Sequence, residues 1–343
     1  MFDLDKLVRE NVRNLIPYSC ARNEFQGTEG VFLDANENPY GALNRYPDPF
    51  QSELKEAISK IKEVPSGNIF LGNGSDEIID LCYRIFCTPG KDKALTFHPT
   101  YGMYEVSAAI NDVRLINIDL TGDFNIDPQS VLPYLDDPSV KLIFICSPNN
   151  PSGNCMNHSV VEDIISQFSG MVVVDEAYND FSGKPSFRFS IGKHPNLLVM
   201  QTFSKALGLA AARIGMAFTS AEVVSYLNKM KPPYNISTIN QKAALKKLQR
   251  IEIYRNEVNK ITLERERLMS VLKKISIIEE VFPSDSNFIL IKVKDADNLY
   301  EQLKSSKIII RNRNRIAEGC LRITVGSRTE NNKLITTLKK LAK

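Results

Sequence analysis

Lys205 is the residue whose surroundings most invite chemistry, in the run Thr202-Phe203-Ser204-Lys205-Ala206-Leu207-Gly208 that follows an apolar stretch at 197–201. Most lysines are solvated surface charges, and a lysine at a strand-to-loop junction in apolar company departs from that pattern. An amine whose pKa is depressed by burial and neighbouring cations is a nucleophile competent to form a Schiff base with a carbonyl. Ser204 and, eight residues beyond the lysine, Arg213 flank it with a hydroxyl and a bidentate donor suited to a phosphate.

Three other segments carry groups of the same kind. Val172-Val173-Val174-Asp175-Glu176-Ala177-Tyr178 is an apolar strand ending in a carboxylate, which is where open α/β sheets place their ligands. A loop-capping aspartate is the alternative. Gly72-Asn73-Gly74-Ser75-Asp76-Glu77 precedes an apolar helix over 78–86, so its free amides can bind phosphate, or Ser75 can simply cap the helix. Cys146-Ser147-Pro148-Asn149-Asn150-Pro151-Ser152-Gly153 ends a strand in a turn, and turn chemistry explains its prolines and glycine but not its paired asparagines.

The elements that must position these groups follow from hydrophobic periodicity. Short apolar runs at 93–97, 114–118, 141–146, 171–174, 197–201 and 215–218 alternate with amphipathic stretches, implying a largely parallel sheet covered on both faces. Beyond Pro232-Pro233, the residues Ile239, Ala243, Leu248, Ile251, Val258, Ile261, Leu268 and Leu272 approximate one long amphipathic helix linking two units. After Pro283 the pattern reads strand 287–293, helix 297–305, strand 307–310, strand 320–325 and helix 329–341, a compact α+β unit. The expected fold is an α/β large domain over 40–232, with 1–39 and 233–343 forming an N-terminal arm and a small C-terminal domain.

Composition narrows the partners. The chain has 343 residues, 43% of them hydrophobic, enough to bury a sizeable core. With 43 basic and 40 acidic residues, nothing calls for a nucleic acid or an anionic membrane, and small molecules are the expected ligands. No apolar run approaches the roughly 20 residues of a spanning helix, and residues 1–14 lack a secretory apolar stretch, so a cytoplasmic location is expected. Six cysteines without CxxC spacing read as reduced thiols, and three histidines form no metal-ligand pair, so no metal is expected.

Pro148-Asn149-Asn150-Pro151-Ser152-Gly153, Asp175-Glu176-Ala177-Tyr178 and Ser204-Lys205 with Arg213-Ile214-Gly215 resemble, in order and spacing, the signature of fold-type-I pyridoxal-phosphate-dependent aminotransferases. Asn14-Leu15-Ile16-Pro17-Tyr18, Asn36-Glu37-Asn38-Pro39-Tyr40-Gly41, Arg45-Tyr46-Pro47-Asp48 and Gly319-Cys320-Leu321-Arg322-Ile323-Thr324-Val325-Gly326 resemble its histidinol-phosphate branch. Together these segments span essentially the whole chain.

The resemblance implies roles. Lys205 would hold pyridoxal 5'-phosphate as a Schiff base and shuttle the proton between substrate and cofactor. Asp175 would pair with the pyridine nitrogen, Tyr178 and Asn150 would bond the ring's 3-oxygen, and Tyr101 would stack on the ring. The cofactor phosphate would meet Gly74, Ser75, Asp76, Ser204 and Arg213, with Tyr46 reaching in from a partner subunit of a homodimer. Arg322 and Arg311 would meet the phosphate of histidinol phosphate in one half-reaction and a carboxylate of glutamate or 2-oxoglutarate in the other, with Tyr18 and Asn36 contributing.

Two features depart from the common pattern: Leu209-Ala210-Ala211-Ala212 has alanines where a glycine and a bulkier apolar residue are usual, and the loop from Arg311 to Gly319 is short. Arg311 also lies beside Arg313 and Arg315, any of which reads equally as a solvated rim charge. An aromatic or broad-specificity aminotransferase, or a phospho-amino-acid decarboxylase, would share the cofactor residues. A non-catalytic regulator sensing the cofactor would need an added nucleic-acid-binding module, for which the short N-terminal arm leaves no room.

Overall fold

Seven apolar segments form the main sheet: Ile69–Asn73 (β1), Lys93–His98 (β2), Arg114–Asp119 (β3), Val140–Cys146 (β4), Met171–Asp175 (β5), Leu197–Thr202 (β6) and Ile214–Phe218 (β7). The computed structural model describes residues 2–18 and 30–342. The strands are ordered β1-β7-β6-β5-β4-β2-β3. From β6 across to β3 all neighbours are parallel, whereas β7 runs antiparallel to both β6 and β1. Alternate residues supply two cores, one on each face: Leu71, Ile143, Val172 and Val199 on one side, Phe70, Leu142, Val173 and Leu198 on the other. This is the expected sheet with helices on both faces. β1 escapes a pattern reading because only Ile69, Phe70 and Leu71 are apolar before Gly72 and Asn73.

The C-terminal unit is a four-stranded antiparallel sheet of Ile278–Val281 (β8), Phe288–Val293 (β9), Arg311–Asn312 (β10) and Cys320–Thr324 (β11), ordered β10-β11-β9-β8. The helices Ala296–Ser305 and Arg328–Leu341 pack on it through Leu299, Leu303, Leu334 and Leu338, forming a third core.

Two expectations are corrected. The single long helix is two, Thr238–Leu248 and Ile251–Leu272, separated at Gln249 and Arg250. Leu248 and Tyr254 join the same core, yet at about 100° per residue six residues of unbroken helix would set them some 240° apart; the break restores their common direction. The strand expected at 307–310 is absent. Lys307 turns into the left-handed region at φ 59° and Ile308 bonds back to Leu303, which closes the preceding helix, so pairing starts only at Arg311. Within the N-terminal arm, Leu7, Val8 and Val12 are buried in the large sheet's second core, and the Arg9 amide bonds the Ile85 carbonyl at 3.0 Å.

The Ile251–Leu272 helix ties the two units together, with Tyr254 in the first core and Leu268 and Leu272 in the third. Between them the buried Arg265 donates through one nitrogen to the carbonyls of Phe181 at 3.2 Å and Ser286 at 2.9 Å, one in each unit. Arg265→Met removes both bonds and leaves two carbonyls dry, for which we expect about 2–4 kcal/mol lower unfolding free energy in urea titrations. An unchanged midpoint and slope would show the arginine to be dispensable. Among the described residues, no helix is long and apolar enough to cross a membrane.

Candidate active site

The parallel strands deliver their carboxyl ends to one edge. Register places Asp175 level with Cys146 on β4 and Met200 on β6, so the last residue of Val172-Val173-Val174-Asp175 emerges there with its side chain buried. Asp175 accepts a hydrogen bond from the Tyr104 hydroxyl at 2.8 Å and one from the Ala177 amide at 3.0 Å. Burial raises its pKa above the ordinary carboxylate range, and those two bonds oppose the rise. A carboxylate built this way is primed for a cationic partner in the adjoining cavity.

Opposite lies an anion cradle. The Ser75–Phe86 helix starts at Gly74, whose φ of 78° is strained for other residues. A Cβ on Gly74 would lie 2.5 Å from an Arg213 nitrogen, and one on Gly215 would lie 2.5 Å from the Gly74 carbonyl carbon and the Ser75 nitrogen. The two glycines therefore let the helix start, the Arg213 fork and β7 pack at backbone distance. Arg213 itself sits at φ 50°, following the turn Ala210–Ala212 in which the unusual alanines lie. The Asp76 carboxylate holds both Arg213, at 3.1 Å, and the Tyr101 hydroxyl, at 3.0 Å. The amides of the first helical turn, the Ser204 hydroxyl and Arg213 thus border one cavity with the charge expected of a phosphate site.

Lys205 lies in the same cavity, its amine 5.7 Å from the centre of the Tyr178 ring. Partial burial, with Arg322 and Arg213 adding, lowers its pKa below that of a free lysine, while Asp175 and Asp76 act in the other direction. More of the amine is consequently uncharged near neutral pH than in a surface lysine. Tyr178 is buried, packs edge-on against Phe288 at 5.0 Å, and has its hydroxyl pKa raised by that burial.

The paired asparagines separate into two tasks. Asn149 donates to Pro99 O at 3.0 Å and Ser152 Oγ at 2.8 Å and accepts from Thr100 at 2.9 Å, which shapes the turn. Asn150 lines the cavity and accepts a hydrogen bond from Arg322. Arg322, on β11, stands 5.0 Å over the Phe288 ring and so brings the small unit's sheet to the cavity's rim.

Of the residues expected from sequence, Ser75, Asp76, Tyr101, Asn150, Asp175, Tyr178, Ser204, Lys205 and Arg213 meet in one cavity with Gly74 behind it and Arg322 joined through Asn150. Arg311 pairs across the ladder with Arg322 and is solvent-exposed. Tyr46 and Asn36 line a different cavity with Glu37 and Arg45, Tyr46 stacking on Tyr234 at 4.4 Å. Tyr18 is exposed and outside the walls of the Lys205 cavity. Cys20 lies outside the described residues, and the five described cysteines are free.

Sequence reading missed Tyr104, whose ring packs on Phe144 at 4.9 Å and reads as an ordinary core aromatic until its hydroxyl is seen on Asp175.

A histidinol-phosphate aminotransferase of Cytophaga hutchinsonii is 50% identical over 345 residues, covering 98% of this chain and 99% of that protein. The crystal structure of the histidinol-phosphate aminotransferase from Clostridium acetobutylicum superposes with a TM-score of 0.81 at 26% identity, over 88% of this chain and 91% of that one. The Sinorhizobium meliloti enzyme of the same name, solved in complex with pyridoxal-5'-phosphate, shares the fold with a TM-score of 0.80 at 22% identity, over 87% of this chain and 83% of that one. The family model for aminotransferase class I and II matches residues 23–338, and the chain belongs to that family.

Proposed function

We propose that this chain transfers an amino group between L-histidinol phosphate and 2-oxoglutarate with pyridoxal 5'-phosphate as cofactor, a step of histidine biosynthesis. The observation that carries this reading is one cavity holding a depressed lysine, a buried carboxylate and a helix-start phosphate cradle, with Arg322 of the small unit joined to it through Asn150.

The residues fit the cofactor. The Ser75 and Asp76 amides, Ser204 and Arg213 would hold its phosphate in the cradle that Gly74 and Gly215 keep clear. Asp175 would sit at the ring nitrogen, exchanging its lone burial for an ion pair. Asn150 and Tyr178 would bond the ring oxygen, and Tyr101, held by Asp76, would stack on the ring. When bound, the cofactor supplies a carbonyl that captures amines and a ring that accepts electrons.

Around it, Lys205 Nζ takes the proton from the substrate's Cα, a role for which its lowered pKa suits it. Asp175 holds its negative charge in a water-poor pocket beside the developing charge, anchored by Tyr104 and Ala177 so that it need not reorganise. Arg322 and Arg311 orient the substrate's anionic end, a phosphate in one half-reaction and a carboxylate in the other. Tyr18 and Asn36 serve the substrate side. The enzyme works as a cytoplasmic homodimer in which Tyr46 completes the partner's phosphate site, a reading supported by the exposed apolar side chains Val31, Leu33, Tyr40 and Leu43 nearby in sequence.

The test is a single-turnover measurement on the holoenzyme with L-histidinol phosphate, phenylalanine and tyrosine. We expect fastest amine transfer from histidinol phosphate, with imidazole acetol phosphate as product. Faster reaction with an aromatic amino acid, or release of carbon dioxide from a phospho-amino acid, would replace this reading.

A further inference from the structure

The hairpin between β10 and β11 sorts its arginines by face. Arg311 pairs with Arg322, and the Arg313 amide bonds the Cys320 carbonyl at 3.0 Å, so the same antiparallel register continues one pair beyond Leu321. Asn312 and Asn314 lie on the other face, where both amides donate to one carboxylate, Asp297, at 2.6 and 2.9 Å. Asn314 also accepts the Gly319 amide at 2.8 Å, closing the loop. With the asparagines clamped to the helix side, strand alternation puts Arg311 and Arg313 on the face of Arg322, and Arg313 acts electrostatically on Tyr178 in the cavity wall. Arg315 is exposed and acts electrostatically on Asp297, which makes it the solvated rim charge.

Arg313 is half-buried, and its Nε is shut from solvent with no hydrogen-bond partner among the described residues; the same is true of Arg322 Nε. Buried donors are nearly always satisfied, so two on neighbouring guanidiniums call for an acceptor arriving from outside. Burial, then the neighbouring Arg322 and Arg311, pull the Arg313 pKa down to about 10. A carboxylate fills one guanidinium fork, whereas a phosphate monoester is close to doubly charged and offers three oxygens.

We propose that Arg313 binds the substrate's phosphate group as a third guanidinium beside Arg311 and Arg322, and so determines preference for phosphorylated over carboxylate substrates. This rests on the histidinol-phosphate reading of the same site.

The test uses the holoenzyme, comparing wild type with Arg313→Gln and Arg313→Lys in separate half-reactions with L-histidinol phosphate, L-histidinol and glutamate. It also measures inhibition of the glutamate half-reaction by inorganic phosphate. For Arg313→Gln we expect KM for histidinol phosphate to rise about tenfold to a hundredfold, the worth of a lost charge-assisted bond to an anion. Its kcat, the histidinol reaction and glutamate KM should stay near wild type, phosphate inhibition should weaken in parallel, and Arg313→Lys should recover part of the loss.

Equal losses with histidinol and histidinol phosphate, or no change in either KM or phosphate inhibition, would overturn the proposal. Wild-type enzyme that ignores histidinol phosphate would instead overturn the substrate reading, while the phosphate-inhibition comparison would still decide the role of Arg313.

Discussion

Lys205→Ala is expected to lower kcat by about 10⁴-fold or more, because one side chain both anchors the cofactor and moves the Cα proton. No second lysine lines the cavity among the described residues. Asp175 and Asp76 are carboxylates, with Asp76 committed to Arg213 and Tyr101, and Tyr178 is buried with a raised pKa. The variant should still fold, since Lys205 lies at the cavity mouth and not in a core, and it should still bind cofactor through the phosphate cradle. Stopped-flow turnover together with cofactor titration checks both halves of this expectation. Rescue of turnover by small exogenous amines would strengthen the proton-transfer role, whereas residual activity within tenfold of wild type would be incompatible with it.

Asp175→Asn is expected to reduce kcat by about 10²–10³-fold, the usual cost of losing one preorganised electrostatic partner in a dry site. The substitution keeps the shape and the hydrogen-bonding reach but removes the negative charge. Tyr104→Phe is the companion measurement. It deletes only the 2.8 Å bond that anchors the carboxylate, so its effect should fall well short of that of Asp175→Asn and appear mainly as weaker cofactor binding. If the two variants lose the same activity, charge is not what Asp175 contributes. A useful control is Glu176, the next carboxylate, which is equally buried but turned to the Phe187 amide at 2.7 Å and Gln201 at 2.9 Å, away from the lysine.

Much of the candidate site is legible in the sequence because strand ends concentrate it. An apolar run that stops at a charged residue, as at Asp175, places that residue on the ligand edge of a parallel sheet, and the run before Thr202 does the same for Ser204 and Lys205. The glycines were visible as glycines, but their reason was not. Only the packing of Gly215 against Gly74 and Ser75 shows that a methyl group there would push the phosphate cradle apart.

Less was legible where function depends on registers and faces. Tyr104 has the composition of a core residue and is one, with a single hydroxyl diverted to Asp175. Arg311, Arg313 and Arg315 look alike in sequence, and they separate only once Asp297 fixes the two intervening asparagines. The break at Gln249 and Arg250 was hidden for a related reason, since an apolar pattern tolerates a phase slip that the shared core of Leu248 and Tyr254 does not.

Lys205, and no other lysine, is expected to carry the cofactor. Borohydride reduction of the holoenzyme, which fixes an imine as a stable amine, followed by peptide mass spectrometry reads this directly. A phosphopyridoxyl mass is expected on the peptide containing Ser204-Lys205-Ala206 and none elsewhere. Label on a different lysine, or no label on an enzyme that turns over its substrate, would contradict it.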